Sequence, residues 1–199
     1  MTTTDNLIYD EDAWPVLEVQ DLWVYDKLIL SKYLGYLCGP AGVPVPVPGD
    51  YIVKPITNIM GMGTGTYFKH IHKSTDDLPP GTFWMEVFRG EHLSVDVIKG
   101  KVELIYQGIT RSTTRFSRWT KIDKELRIPQ FIIDLSNKYG VVNLECINGN
   151  IIEMHIRSNP DWVKYKAKEL IPVWNPKEID YNRFVEDRDR ERLGFNVYK

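Results

Sequence analysis

Val141-Val142-Asn143-Leu144-Glu145-Cys146-Ile147, then Asn148-Gly149-Asn150, then Ile151-Ile152-Glu153-Met154-His155-Ile156-Arg157: this stretch decides the fold of the 199-residue chain. Two runs of strand-forming residues flank an Asn-Gly pair, which is the strongest short-range signal for a hairpin. A three-residue loop sets Ile147 opposite Ile151, and therefore Glu145 opposite Glu153. By the two-residue period of a strand, Glu145, Glu153, His155 and Arg157 share one face, while Leu144, Cys146, Ile152, Met154 and Ile156 share the other. Carboxylates directly opposite have Cβ atoms about 5 Å apart and repel each other unless a cation lies between them. Magnesium suits that position, because it takes hard oxygen ligands and completes its shell with water and substrate phosphates. A solvent-facing sheet on which Arg157 or a nearby lysine neutralises the pair is equally open at this level.

Working upstream, Phe131, Ile132, Leu135 and Tyr139 have helical spacing over 128–139, with Gly140 at the expected stop. Residues 82–106 read as an antiparallel meander: a β-prone run from Thr82 to Phe88, a turn at Arg89-Gly90, and alternating Leu93, Val95 and Val97. A second turn at Lys99-Gly100 leads to Val102, Leu104 and Tyr106. Tyr51-Ile52-Val53-Lys54-Pro55 is a short strand that precedes a loop with glycines at 61, 63 and 65. A fixed cation and freely oriented backbone N–H groups are what a polyphosphate requires. The loop has neither the GxxxxGK[ST] order nor GxGxxG, and by itself it is also compatible with an ordinary turn. Leu28, Leu30, Tyr33, Leu34 and Leu37 predict a helix that Asp26 caps and Gly39-Pro40 ends. The alternating prolines of 44–48 then make a stiff connector.

Residues 1–21 read as an extended acidic lead-in. The dense mixed charge of EIDYNRFVEDRDRER, 178–192, predicts a solvated helix or mobile end. The lysines and arginines number 25 against 27 acidic residues, a net charge of -2, so no basic footprint recruits nucleic acid or an anionic membrane. With 43% apolar and 12% aromatic residues, the chain has core-forming material for one domain or two small lobes. No apolar run approaches the roughly 20 residues of a membrane span, and the acidic start is unlike a signal peptide, so the expected location is cytoplasmic. Cys38 and Cys146, far apart and without a CxxC or a histidine cluster, are expected to be free and buried rather than zinc ligands or a disulfide.

In combination, these segments resemble the ATP-grasp superfamily of carboxylate ligases over roughly Asp26 to Asp161. Asp26-Lys27 with its helix, and Gly42-Val43-Pro44-Val45-Pro46, look like the family's opening helix and connector. Lys54 and the loop of Gly61, Gly63 and Gly65 look like the phosphate-contacting strand and flap. Trp84 to Gly90 looks like the hinge, where Glu86 and the backbone of Val87 and Phe88 would meet adenine. Gly90-Glu91-His92-Leu93-Ser94-Val95-Asp96 resembles the family's G-x-E-x-S-V-D, with His92 where an acid usually binds ribose and Glu91 one residue away. Glu145 and Glu153 match the metal ligands and Arg157 the closing arginine of E-x-N-x-R. His155 stands at the asparagine's metal-binding position; neutral imidazole is a poor magnesium ligand, so the resemblance implies a weaker second metal, a preference for manganese, or a site that binds nucleotide without turning it over.

The resemblance implies an α+β fold of two lobes with antiparallel sheets enclosing a nucleotide cleft. The expected units are an acidic extension (1–25), a first lobe with the flap (26–88), a second lobe with the metal hairpin (89–170) and a charged tail (171–199). It implies an ATP-dependent ligase that activates a small carboxylate or peptide as an acyl phosphate for attack by an amine, using ATP with Mg²⁺ or Mn²⁺. The alternative is a nucleotide-binding module with weak or no catalysis. Arg111 and then Arg115, with Arg118 behind them, are the candidates to steady the transferred phosphoryl group. They also read as a solvated basic loop, and His70 and His72 as surface residues. Family members carry a substrate domain ahead of the opening helix, so the resemblance implies that the lobes, a partner or a second copy in a homo-oligomer supplies that site.

Overall fold

The computed structural model describes residues 7, 9–57, 63–112, 115–189 and 191–199. The strands form two antiparallel sheets. The smaller has the order β1-β4-β2-β3 and contains Cys38–Pro40 (β1), Gly49–Pro55 (β2), Tyr67–Ile71 (β3) and Thr82–Glu86 (β4). The larger has eight strands in the order β11-β12-β10-β7-β6-β5-β8-β9. Its members are His92–Ile98 (β5), Lys101–Thr110 (β6), Phe116–Lys121 (β7), Val141–Ile147 (β8), Asn150–His155 (β9), Glu169–Val173 (β10), Phe184–Asp189 (β11) and Arg192–Tyr198 (β12). The helices are Asp10–Ala13 (α1), Lys27–Tyr33 (α2), Gln130–Tyr139 (α3) and Pro160–Tyr165 (α4). Among the described residues, no helix is long and apolar enough to cross a membrane. The fold is α+β.

The decisive hairpin reaches its expected register by a different route. The turn has two residues, Asn148 and Gly149, both at positive φ (49° and 81°), and Ile147 faces Asn150. Such a turn matches the right-handed twist of the strands and favours Asn-Gly for its left-handed angles. Continued regularly, it would pair Glu145 with Ile152. A bulge intervenes instead: Cys146 pairs with Ile151, Glu145 pairs with Glu153, and Ile152 has no partner. One residue lost in the turn is restored by one extra residue in the strand. As a result Ile151, rather than Ile152, joins Leu144, Cys146, Met154 and Ile156 in the core.

That core lies between one face of the large sheet and α3, which contributes Ile132, Leu135 and Tyr139. α3 ends at Gly140, φ 89°, as expected. The Asp26 side chain caps α2 by accepting from Ile29 N at 2.8 Å. That helix stops at Tyr33, with Gly35 at φ 77°, so Cys38–Pro40 is free to pair with β4 as a strand instead of terminating the helix.

Three further expectations are corrected. From Tyr9 onward the acidic lead-in is folded rather than extended: α1 is followed by tight helical turns at Trp14–Val16 and Val19–Tyr25, and Ala13 and Val24 are buried in the main core. The charged run near the C-terminus is neither a helix nor a mobile end. It contains β11 and most of an edge hairpin whose outer strand is largely exposed, so its charges stay solvated without helical spacing. The arginine-rich segment is not a loop throughout, since Arg118 lies in β7, which joins β6 to β10 through Trp119 and Thr120. Cys38 and Cys146 are free thiols; Cys146 is buried as expected, whereas Cys38, in an edge strand of the smaller sheet, is only partly so.

Candidate active site

The sheet face away from α3 is polar because of register. Ser94 and Asp96 of β5 lie opposite Glu145 and Asn143 of β8, which lie opposite Glu153 and His155 of β9. Cross-strand partners point to the same side, so six polar side chains from three adjacent strands share one surface.

Lys54 reaches this surface from the other sheet. Its ammonium donates to Ile152 O at 3.3 Å and lies 5.4 Å from the Phe83 ring centroid. Burial pushes Lys54 down to about 8, with Lys27 adding to the shift and Glu153 opposing it. Lys27, the first residue of α2, is also buried, and its Nζ lies 4.0 Å from Glu153 Oε1. Burial works against the Glu153 carboxylate, but His155, Lys27 and Lys54 outweigh it and hold the group at about 2. Glu153 Oε1 is itself buried, and its nearest donors, His155 Nε2 at 3.3 Å and Lys27 Nζ at 4.0 Å, leave it without an aligned hydrogen bond. A buried carboxylate oxygen left open is expensive unless a cation or donor completes it.

Glu145 is engaged differently: His92 Nε2 lies 2.8 Å from its Oε2. The His92 ring packs edge-on against Phe116 and Trp119, with centroids 4.9 and 5.8 Å away. His155 lies between two acids, with Nδ1 3.1 Å from Asp10 Oδ1 and Nε2 3.3 Å from Glu153 Oε1. Burial and Arg157 resist its protonation, but the two acids prevail and raise its affinity for a proton. Arg157 donates through Nε to Asp10 Oδ1 at 3.0 Å and through a terminal nitrogen to Ser158 O at 3.2 Å. Deeper in the face, Asp96 accepts from Asn143 at 2.8 Å and from Asn159 N at 3.2 Å, and burial pushes its carboxyl up to about 6.

The remaining expected residues are distributed as follows. Glu86 Oε1 accepts from Leu37 N at 2.8 Å, and Val87 and Phe88 follow β4, with Phe88 packed edge-on against Tyr36 at 4.7 Å. Gly63 and Gly65 form a turn between β2 and β3 at positive φ. Gly61 lies outside the described residues. Glu91 pairs with Lys124 and accepts from Gln107 at 3.2 Å. Arg111, exposed, and Arg115, half-buried, lie at the β6–β7 turn, where Arg111 pairs with Glu178 at 2.6 Å and Arg115 pairs with Glu191. Arg118 pairs with Glu169 at 3.5 Å. His70 is a surface residue, 2.7 Å from Asp50.

Among the described residues, no three His, Cys, Asp or Glu side chains are gathered as a ready metal-ligand set. Magnesium nevertheless needs few protein oxygens where phosphate and water supply the rest. Glu145 and Glu153, with the open Oε1 of Glu153, fit such an ion; His155, with both nitrogens turned to carboxylates, does not fit as a ligand. A cavity of about 410 Å³ lined by Val102, Glu103, Ile105 and residues 122–126 includes none of these groups.

Two contributors were not singled out as site residues in the sequence. Lys27 carried a signal in its place beside the capping Asp26. Asp10 carried none, because its contacts span 145 and 147 residues.

This architecture recurs in a solved structure described as a putative ATP-grasp superfamily protein from Archaeoglobus fulgidus, at a TM-score of 0.50 and 15% identity over 88% of this chain. The chain has an ATP-grasp-like fold. It covers 64% of that structure's length. An L-amino acid ligase from Bacillus licheniformis matches at a TM-score of 0.48 and 11% identity, over 73% of this chain and 43% of the other. The macrocyclase MdnC from Microcystis aeruginosa, bound to its precursor peptide, matches at 0.36 and 12% identity, over 76% and 55%. No protein-family model matches the sequence, and no curated protein matches it. The ATP-grasp-like fold agrees with the expectation from the motifs.

Proposed function

We propose that the chain binds a magnesium–nucleoside triphosphate between its two sheets and acts as an ATP-dependent ligase, activating a carboxylate as an acyl phosphate for attack by an amine. The observation that carries this reading is the meeting of Lys54 and Lys27 with Glu153, whose Oε1 is buried and open, directly across a ladder from Glu145. When bound, a divalent cation on the two glutamates would offset triphosphate charge and polarise the transferred phosphoryl group. Lys54 and Lys27 would donate to phosphate oxygens, and Arg157 would use its remaining N–H groups on a phosphate or carboxylate. Catalysis in this scheme rests on position and charge neutralisation rather than on a covalent intermediate with the protein. A small carboxylate or a peptide is the substrate class we favour.

One set of contacts favours a second reading, a nucleotide-binding module without turnover. Glu145 is already paired with His92, and Arg111 and Arg115 are tied to Glu178 and Glu191. Thermal stability measured with Mg-ATP and with Mn-ATP tests both readings. A ligand at 100 times its Kd stabilises by about 2.7 kcal/mol, so no shift at millimolar nucleotide defeats both. Where binding occurs, ADP release that depends on added carboxylate and amine supports the ligase. Binding with no acceptor-dependent release supports the module.

A further inference from the structure

The first turn of the described chain enters the site from 145 residues away. A single oxygen, Asp10 Oδ1, lies 3.1 Å from His155 Nδ1 and 3.0 Å from Arg157 Nε. The far nitrogen of the same ring lies 3.3 Å from Glu153 Oε1. An imidazole bonded to a carboxylate at one nitrogen and facing a second carboxylate at the other is restrained in rotation, and groups that orient such a ring govern the group beyond it. The Tyr25 ring approaches His155 edge-on at 6.2 Å.

We propose that Asp10 is a positioning residue of the Glu145–Glu153 site: its carboxylate fixes the His155 ring and the Arg157 guanidinium, and through His155 it sets where the open oxygen of Glu153 points. This deepens the nucleotide reading above and rests on it. The acidic segment is therefore a structural wall of the site and not a removable strap. A strap would be held by a few exposed contacts and would open at little cost. Here Ala13 is fully buried, and Leu7 and Leu17 pack against the same core as β8 and β9. Ser158 N donates to Leu7 O at 3.1 Å, and Glu18 N donates to the Tyr139 hydroxyl at 3.1 Å. Glu11, beside Asp10, is exposed and supplies the natural control.

The test compares the wild-type chain with Asp10→Ala, Asp10→Asn, Asp10→Glu and Glu11→Gln. Mg-ADP affinity is measured by calorimetry, and the His155 ring nitrogens are followed by NMR without ligand. The Ala and Asn variants are expected to weaken Mg-ADP by about tenfold or more, the range seen when the partner of a site-forming side chain is removed. Asp10→Glu should recover part of the loss, and Glu11→Gln should match wild type. The His155 signals should move in Asp10→Asn, which keeps the side-chain shape and is expected to fold even where Asp10→Ala does not. Tighter Mg-ADP binding by Asp10→Ala would show a competing strap and overturn the proposal. So would unchanged affinity with unmoved ring signals. If wild type itself does not bind Mg-ADP, the nucleotide reading fails separately. The ring signals still decide: moved in Asp10→Asn, they uphold the positioning role; unmoved, they reject it.

Discussion

The eight-stranded sheet ends in a hairpin at each edge, β8–β9 on one side and β11–β12 on the other, and both carry charged residues on their outer strands. On β11 those charges face water: Glu186 and Arg188 pair with each other at 2.7 Å, and both are exposed. On β9 they are covered by α2, by the tight turns that follow α1, and by Lys54 from the smaller sheet, so Glu153 and His155 lose water and gain charged neighbours. The same residue types at equivalent edges thus have opposite energetics. Exposed pairs contribute almost nothing, whereas a covered carboxylate is strongly perturbed and costly to leave alone. What separates them is the cover, which is supplied by distant segments.

The sharpest way to break this contrast is Glu153→Ala. Removing one member of a covered charge set leaves Lys27, Lys54 and His155 facing each other, so a loss of about 3–5 kcal/mol in unfolding free energy is expected, along with loss of detectable Mg-ATP binding. Chemical denaturation and calorimetry read the two effects, and a near-neutral result would place β9 with β11.

Leu144→Ala probes the apolar back of the same hairpin. Leu144 is fully buried, and about 2–5 kcal/mol of stability should go, with nucleotide affinity preserved in the folded fraction.

Acidity sharpens the contrast further. Glu153 is held at about 2 against 4.5 unfolded, so its contribution is complete above about pH 4.5 and is lost as pH falls through 2. Wild type should therefore lose stability across that window, and Glu153→Gln should lose less. Lys54 behaves in the opposite sense: held at about 8 against 10.5, it releases its proton in the folded state first, so folding becomes more favourable between pH 8 and 10.5. Nucleotide affinity should fall as pH rises through 8 in wild type and stay flatter in Lys54→Arg.

The smallest effect belongs to the exposed edge. Glu186→Ala should change unfolding free energy by no more than about 0.5 kcal/mol, and a larger change would show that β11 is not the inert counterpart of β9.

What could be read from the sequence follows the range of the forces involved. The Asp26 cap and the Gly140 stop are local, and they appear where spacing and conformational preference put them. The opposition of Glu145 and Glu153 was also legible, although through a loop length that is one residue too long; the alternation of side chains constrained the answer more tightly than the turn did. The tail failed for a physical reason. Mixed charge marks solvation, and an exposed edge strand is as solvated as a helix, so composition could not choose between them. The partners of Arg111 and Arg115, Glu178 and Glu191, were not legible, because they lie on segments that only the folded sheet brings near. The pairing of His92 with Glu145 and the arrival of Asp10 are likewise products of assembly.

The bulge at Ile152 has a mechanical side. Its residue is skipped by the ladder, and its carbonyl is the atom on which the Lys54 ammonium rests. Parting the sheets at this point would break no rung of β8–β9. The lysine could turn from that carbonyl to an incoming anion for the exchange of one hydrogen bond, about 1 kcal/mol net. That contact is therefore a soft latch, set on the one residue of the hairpin that its ladder skips.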